Sequence, residues 1–140
     1  MKILLAADGS DHTKRMLGYV AAHDELFGRD PAYTVITAIS PVPPNAARHI
    51  DRQTLADYYA EQAEHVFKPI RAFAQQNGWK IETKHVLANA AEAIADLAER
   101  EKFDMVVMGS HGHTSLANVL LGSVATGVLA RCKVPVLLIR

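Results

Sequence analysis

The stretch VVMGSHGHTSLANVLLGSVAT, Val106 to Thr126, opens as an apolar run and closes as a helix. With the residues before it, FDMVVMG (Phe103 to Gly109) reads as a strand with a fully buried apolar core, the kind found in parallel sheets covered by helices on both faces. Gly122-Ser123 opens the last helix. The intervening loop carries His111 and His113 and has bare backbone at Gly109 and Gly112. A glycine directly after a buried strand lets the chain turn or lets a ligand approach the backbone. The free N–H groups of a helix's first turn, at the positive end of its dipole, form a ready site for phosphate, and the Ser123 hydroxyl adds a donor.

Outward from this unit, apolar runs and helical patterns alternate along the whole chain. KILLAA (Lys2 to Ala7) is a short continuous strand stopped by DGS. Ser10 or Asp11 caps the helix that follows, which carries Met16, Leu17, Val20 and Ala21 on one side and runs out near Gly28. YTVITAI (Tyr33 to Ile39) is a second, β-branched strand, and the prolines of SPVPPNA (Ser40 to Ala46) turn the chain into a surface loop. Leu55, Tyr59, Ala63, Val66, Ile70 and Phe73 recur at helical spacing and form one apolar stripe. Pro69 falls inside that stripe and predicts a kink or break about a turn before it. Asn77-Gly78 stops the helix. WKIETKHVL (Trp79 to Leu87) reads as a third strand. NAAEAIADLAEREK (Asn89 to Lys102) is a helix with Ala91, Ile94, Ala95 and Ala98 facing inward, and VPVLLI (Val134 to Ile139) is a fifth strand. Strands alternating with helices imply crossover connections and a mainly parallel α/β sheet with helices on both faces. Ligands of such sheets bind outside the carboxyl ends of the strands, where the strand order reverses. Asp8, Ile39 and Gly109 all lie at such ends and are candidates for one shared crevice.

A chain of 140 residues fits one domain. Fifteen lysines and arginines balance fifteen aspartates and glutamates, so no global field points to nucleic acid or to an anionic membrane. Cys132 is the only cysteine, which rules out an intramolecular disulfide and fits a reducing compartment. The apolar run after Met1 is far too short for a signal-peptide core or a membrane span. The expectation is a cytoplasmic protein with no membrane insertion.

Familiar phosphate-binding patterns do not fit the loop. The glycine-lysine-serine spacing of the Walker A motif is absent, and DGSDHT after the first strand supplies one glycine where the dinucleotide fingerprint needs three. MGSHG resembles a hydrolase nucleophile elbow, but Met108 stands where that motif requires its first glycine. Gly109, two residues, Gly112, nine residues, then Gly122-Ser123 matches without a gap the ATP-binding signature of the universal stress protein family, which the chain resembles over nearly its whole length. ADGS after the first strand, the proline-bearing loop, FDMVVMGSHG and the closing VPVLLIR belong to the same resemblance. It implies a Rossmann-like five-stranded sheet in the order 3-2-1-4-5. It also implies that Ala7 and Asp8 lie at the adenosine part of ATP, that Ile39 touches adenine mostly through its backbone, and that Met108 and Gly109 lie beside the ribose. Gly112, Gly122, Ser123 and Val124 would wrap the phosphates, with His111 and His113 lining them. Members of the family often carry lysine or arginine just after the second glycine, where this chain has His113. Magnesium or manganese would be held mainly by the phosphates, since two histidines without a third ligand nearby do not make a dedicated metal site.

The leading function is then an ATP-binding regulatory module in stress response or signalling, with an adenine nucleotide and an unidentified protein as partners. The resemblance and the apolar last strand both imply a homodimer paired through Val134 to Ile139. The alternatives are a slow ATPase and a dimeric adaptor that binds another small ligand or none. Against the ATPase, no residue stands out as a catalytic base or as a phosphate-clamping lysine or arginine in the loop, and phosphoryl transfer depends on such charges.

Overall fold

The structure, a computed structural model, describes residues 1–113 and 118–140; the stretch 114–117 of the glycine loop lies outside the described residues. Strands β1 (Lys2–Ala6), β2 (Ala32–Ile39), β3 (Ile81–Leu87), β4 (Met105–Gly109) and β5 (Val136–Ile139) form one sheet in the order β3-β2-β1-β4-β5. Every neighbouring pair is parallel, so each connection must cross over. The helices supply the crossovers: α1 (Asp11–Ala22), a single turn α2 (Pro44–Ala47), α3 (Arg52–Gln76), α4 (Ala90–Arg100) and α5 (Ser123–Arg131). The strand order reverses at β1, which sits between β2 and β4.

Side chains alternate across the sheet and fill two separate cores. Ile3 and Leu5 of β1 point to one face, where Met16, Leu17 and Val20 of α1 and Ala63, Phe67 and Ile70 of α3 cover them. Leu4, between them in sequence, points to the other face and packs with Ile94, Leu97 and Ala98 of α4 and Ala125 and Val128 of α5. With both faces covered, β1 reads as an unbroken apolar run: Ile3, Leu4 and Leu5 are all fully buried.

The boundaries depart from the sequence reading where local hydrogen bonding takes the backbone elsewhere. The third strand begins at Ile81, not Trp79, because the end of α3 claims the backbone groups just before it. Gly78, at φ 70°, donates to Gln75 (3.2 Å) and Trp79 donates to Ala74 (2.9 Å), which closes the helix in a Schellman motif. The Trp79 ring then packs against Tyr33 and Phe73. The fifth strand begins at Val136 because Pro135 has no N–H, although its carbonyl still accepts from Val106 (2.8 Å). Phe103 and Asp104 precede β4, and the Asp104 carboxylate accepts from the backbone of Lys2 at 2.6 Å. The Ser40 to Ala46 loop contains one helical turn, since Pro44 occupies a first helical position where its missing N–H has no partner to lose. The Tyr59 hydroxyl accepts from Val42 N–H at 2.7 Å and ties this loop to α3.

Pro69 neither breaks α3 nor lies in its apolar stripe. The helix runs without interruption from Arg52 to Gln76 and buries Tyr59, Ala63, Phe67, Ile70 and Ala74. Pro69 and His65, whose carbonyl loses its helical partner, are both exposed, so the loss falls on the solvent side of the helix.

The end of α4 repeats the Schellman pattern with a lysine in the left-handed position. Lys102 sits at φ 54°, and Phe103 donates to Ala98 at 2.9 Å. A left-handed L-residue costs roughly 1–2 kcal/mol that glycine avoids, partly offset by the greater freedom glycine has when unfolded. Lys102 is exposed, so Lys102→Gly is expected to raise stability by about 0.5–1 kcal/mol in urea unfolding.

Candidate functional site

A crevice of about 420 Å³ opens at the carboxyl ends of β1, β2 and β4, at the reversal of strand order. Its β2 side is walled by Ile36 and Ala38, with Ile94 reaching over from α4, and Ser40 stands at the rim. Its β4 side is formed by Met108, Gly109 and the glycine loop, and the first turn of α5 closes it with Ser123 and Val124. Ala7 and Asp8 lie in the middle, directly after β1.

The glycines are needed for close approach within the protein. A β-carbon on Gly109 would stand 2.8 Å from Cβ of His12 on α1, and one on Gly112 would stand 2.6 Å from Oδ2 of Asp8. On Gly122 it would meet Cα of His111 at 3.2 Å and the Ser110 carbonyl oxygen at 3.3 Å. Gly122 also donates its N–H to that carbonyl at 2.7 Å, while Ser110 N–H donates to Ile139 of β5 at 2.8 Å. The loop base is thereby clamped between β5 and the start of α5. Gly122 occupies the N-cap of α5 and provides no side-chain cap, so the first-turn N–H groups are left to whatever enters the crevice.

Both histidines serve the loop's shape. His111 donates from Nε2 to the Val119 carbonyl (2.7 Å), while its Nδ1 lies 3.1 Å from the Ser110 hydroxyl. His113 donates from Nε2 to the Asp8 carbonyl (2.7 Å), which draws the loop onto the end of β1. The His12 ring tilts against that of His111 at 5.4 Å, and its buried Nδ1 has no hydrogen-bond partner among the described residues.

Asp8 does not cap α1 in the ordinary sense. Its Oδ1 accepts from the Ser10 N–H at 2.9 Å and from the Thr13 hydroxyl at 3.0 Å. Ser10 occupies the N-cap position, yet its side chain makes no cap bond. Partial burial pushes the Asp8 carboxyl upward, but the polar groups of Ser10, the Thr13 hydroxyl and the charge of His113 outweigh it and hold the group below its usual 3.8. A depressed folded value contributes stability that is present above the unfolded value and lost as pH falls through the folded one. In thermal unfolding between pH 7 and 3, the parent is therefore expected to exceed Asp8→Asn in Tm at neutral pH, and the gap to close below about pH 4.

The crevice gathers Ala7, Asp8, Met108, Gly109, His111, Gly112, His113, Gly122, Ser123 and Val124. Ile39 turns away. Its side chain packs in the α1/α3 core, leaving only main chain for the adenine contact that the resemblance implies. Ile36, Ala38, Ser40, Thr13, Ala90 and Ile94 line the crevice without having been picked out from the sequence. Strand alternation was a usable signal for three of them, since Ile36, Ala38 and Ser40 share one face while Ile39 falls on the other. Ala90 and Ile94 are spaced one helical turn apart on α4. Among the described residues, no three histidine, cysteine or carboxylate side chains cluster as a metal site would require, and no helix is long and apolar enough to cross a membrane.

Known proteins share this architecture. A universal stress protein of Thermus aquaticus, from the QAH/OAS sulfhydrylase 3′ region, is 34% identical over 138 residues, which is 99% of this chain and 97% of that one. The solved structure of MJ0577 from Methanocaldococcus jannaschii is similar at a TM-score of 0.80 and 27% identity, covering 99% of this chain and 94% of that chain. A universal stress protein solved in complex with cAMP is similar at a TM-score of 0.64 and 25% identity, covering 100% and 96%. The family model for universal stress proteins matches residues 1–140, and with the same doubly covered sheet beneath that match, this chain belongs to the universal stress protein family.

Proposed function

We propose that the crevice binds an adenine nucleotide and that the protein acts as a nucleotide-responsive regulatory module. The observation that carries this reading is the pairing of two unlike walls in one cavity. Ile36, Ala38 and Ile94 offer an apolar slot suited to a base, and across β1 the uncapped first turn of α5 offers N–H donors suited to phosphate. A volume of about 420 Å³ lies within the roughly 300–1,000 Å³ of small-molecule sites. The similarity to a relative solved with cAMP supports the same ligand class. ATP is the ligand implied by the glycine signature. Magnesium or manganese would be held mainly by its phosphates. The test is to denature purified protein and identify what it releases, then to titrate nucleotide back. Stoichiometric adenine nucleotide supports the reading, and failure of every adenine nucleotide to bind at millimolar concentration refutes it.

The regulatory reading includes a homodimer paired through Val134 to Ile139. β5 is hydrogen-bonded to β4 along one side and stands last in the sheet, where an apolar edge strand exposes backbone groups unless a second copy covers them. Light scattering at micromolar concentration is expected to give twice the 15.3 kDa chain mass, and a monomer would remove this part of the proposal.

A further inference from the structure

We infer that Gly127 is a positioning residue for the crevice: by letting α5 lie directly against Ala91 of α4, it sets the gap between the apolar wall and the helix terminus opposite. The consequence for binding rests on the adenine-nucleotide reading above, whereas the spacing itself is a property of the two helices.

Glycine is the poorest helix former after proline, so a glycine in the middle of a helix needs a reason. Gly18 in α1 and Gly127 in α5 both stand there. Gly18 is exposed, and a β-carbon on it would meet nothing within 4 Å among the described residues. Gly127 differs. A β-carbon there would stand 2.6 Å from Cβ of Ala91, in the first turn of α4. Carbon atoms pack at about 3.5–4.0 Å, so the two helices would have to part by roughly 1 Å. The methyl of buried Ala91 is its whole side chain, so no rotation relieves the contact.

This contact lies immediately behind the crevice. Ala90 and Ile94, on either side of Ala91 in sequence, line the cavity from α4, and Ser123, Val124 and Ala125 line it from α5. Ser123 precedes Gly127 by about one turn, roughly 6 Å along the axis. Over so short a rod, a displacement at Gly127 reaches the first-turn N–H groups nearly undiminished.

The starts of the two helices are each fixed to something else. Asn89 caps α4 by accepting from Glu92 N–H at 3.2 Å, and Gly122 ties α5 to the Ser110 carbonyl at 2.7 Å. Neither bond joins α4 to α5. An ion pair that does, Glu92 with Arg131 at 3.9 Å, is exposed at both ends and contributes little. The packing of Ala91 on Gly127 therefore sets the separation.

The experiment compares the parent with Gly127→Ala, with the exchange variant Ala91→Gly/Gly127→Ala, and with Gly18→Ala. Circular dichroism and urea unfolding establish folding, and calorimetric titration uses AMP and ATP as probes. Gly127→Ala is expected to bind both probes more weakly by a similar factor, since a wall has moved and no charge has changed. That factor should be about five-fold or more, as for one misaligned hydrogen bond. The exchange variant moves the same methyl from α4 to α5. Without the Ala91 methyl, the next atom that a β-carbon on residue 127 would meet is Nη1 of Arg131 at 3.5 Å, the tip of a flexible side chain. Its affinity should return to within about two-fold of the parent. Gly18→Ala should bind as the parent does and raise the urea midpoint.

A folded Gly127→Ala protein of parental affinity overturns the inference. So does an exchange variant that binds as weakly as Gly127→Ala or does not fold, and should Gly127→Ala itself fail to fold, the exchange variant alone decides. A parent that binds neither probe overturns the adenine-nucleotide reading. Crystal structures of the parent and Gly127→Ala then decide the spacing: the first turn of α5 is expected to stand roughly 1 Å further from Ile94, and an unmoved turn overturns the inference.

Discussion

Gly122→Val is expected to leave a folded protein that binds the proposed adenine nucleotide about 30- to 150-fold more weakly, a loss of about 2–3 kcal/mol if two phosphate hydrogen bonds disappear. The backbone at this position is extended, with φ −70° and ψ 165°, so valine meets no conformational barrier there. What valine lacks is room. A β-carbon already comes within 3.2 Å of His111 Cα and 3.3 Å of the Ser110 carbonyl, and both γ-carbons add to the crowding. The contacts are to backbone, so no side-chain rotation relieves them. The loop base must move off the start of α5, and the N–H groups of that first turn lose their alignment with the phosphate. The fold should persist because its stability comes mainly from apolar burial in two cores away from the loop. Ser123→Ala removes one hydroxyl and no backbone donor, so its loss should stay near about 1 kcal/mol. Circular dichroism establishes folding, and nucleotide titration of both variants follows. A folded Gly122→Val protein with parental affinity would show that phosphate does not lie at this terminus.

The largest effect on stability is expected from Leu5→Ala. Leu5 is fully buried in β1, the strand flanked by β2 and β4, with Val35 and Val107 as its register neighbours. All three belong to the core covered by α1 and α3. A central strand hydrogen-bonded on both sides cannot shift to fill a void, so the cavity term is felt almost in full. The expected loss is about 3–4 kcal/mol, within the usual range of roughly 2–5 for such truncations and a large fraction of a typical total of about 5–15 kcal/mol. Urea unfolding should show a lower midpoint at an unchanged slope. Leu129→Ala on α5 is the control, since that side chain is 46% exposed and should change stability by no more than about 0.5 kcal/mol. Equal losses in the two variants would contradict the assignment of the core.

Much of the fold was legible because its strands and helices are patterned without ambiguity. Ile3 to Leu5 and Val106 to Met108 can only be strands buried on both faces, and the 90–100 helix shows one clean apolar stripe. The errors cluster where a single backbone group changes hands. Trp79 looks like strand until its N–H is seen to close α3, and Pro69 looks like a breaker until it is found on the solvent side. The site was legible to the extent that it is made of backbone. Glycines at fixed spacing and the residue after β1 can be read directly, and the structure draws them together. The side-chain wall was not, because Ala38, Ala90 and Ile94 carry no chemistry that marks them apart from ordinary core. Ile39 was chosen by position along the strand, and the two-residue alternation places its side chain on the opposite face.

The division of the interior by the sheet also bears on how such a chain can change over generations. Val20 of α1 and Val128 of α5 are both fully buried, but in clusters that face opposite sides of the sheet. A volume change at one cannot be absorbed by a compensating change at the other, so their effects should simply add. Val20 and Leu5 share a cluster, so losses there can be repaired by a neighbour and epistasis should be concentrated within each layer. One face could then drift through many combinations of side chains while the other, which floors the crevice with Ile36, Ile94 and Met108, stays held to the shape of that crevice.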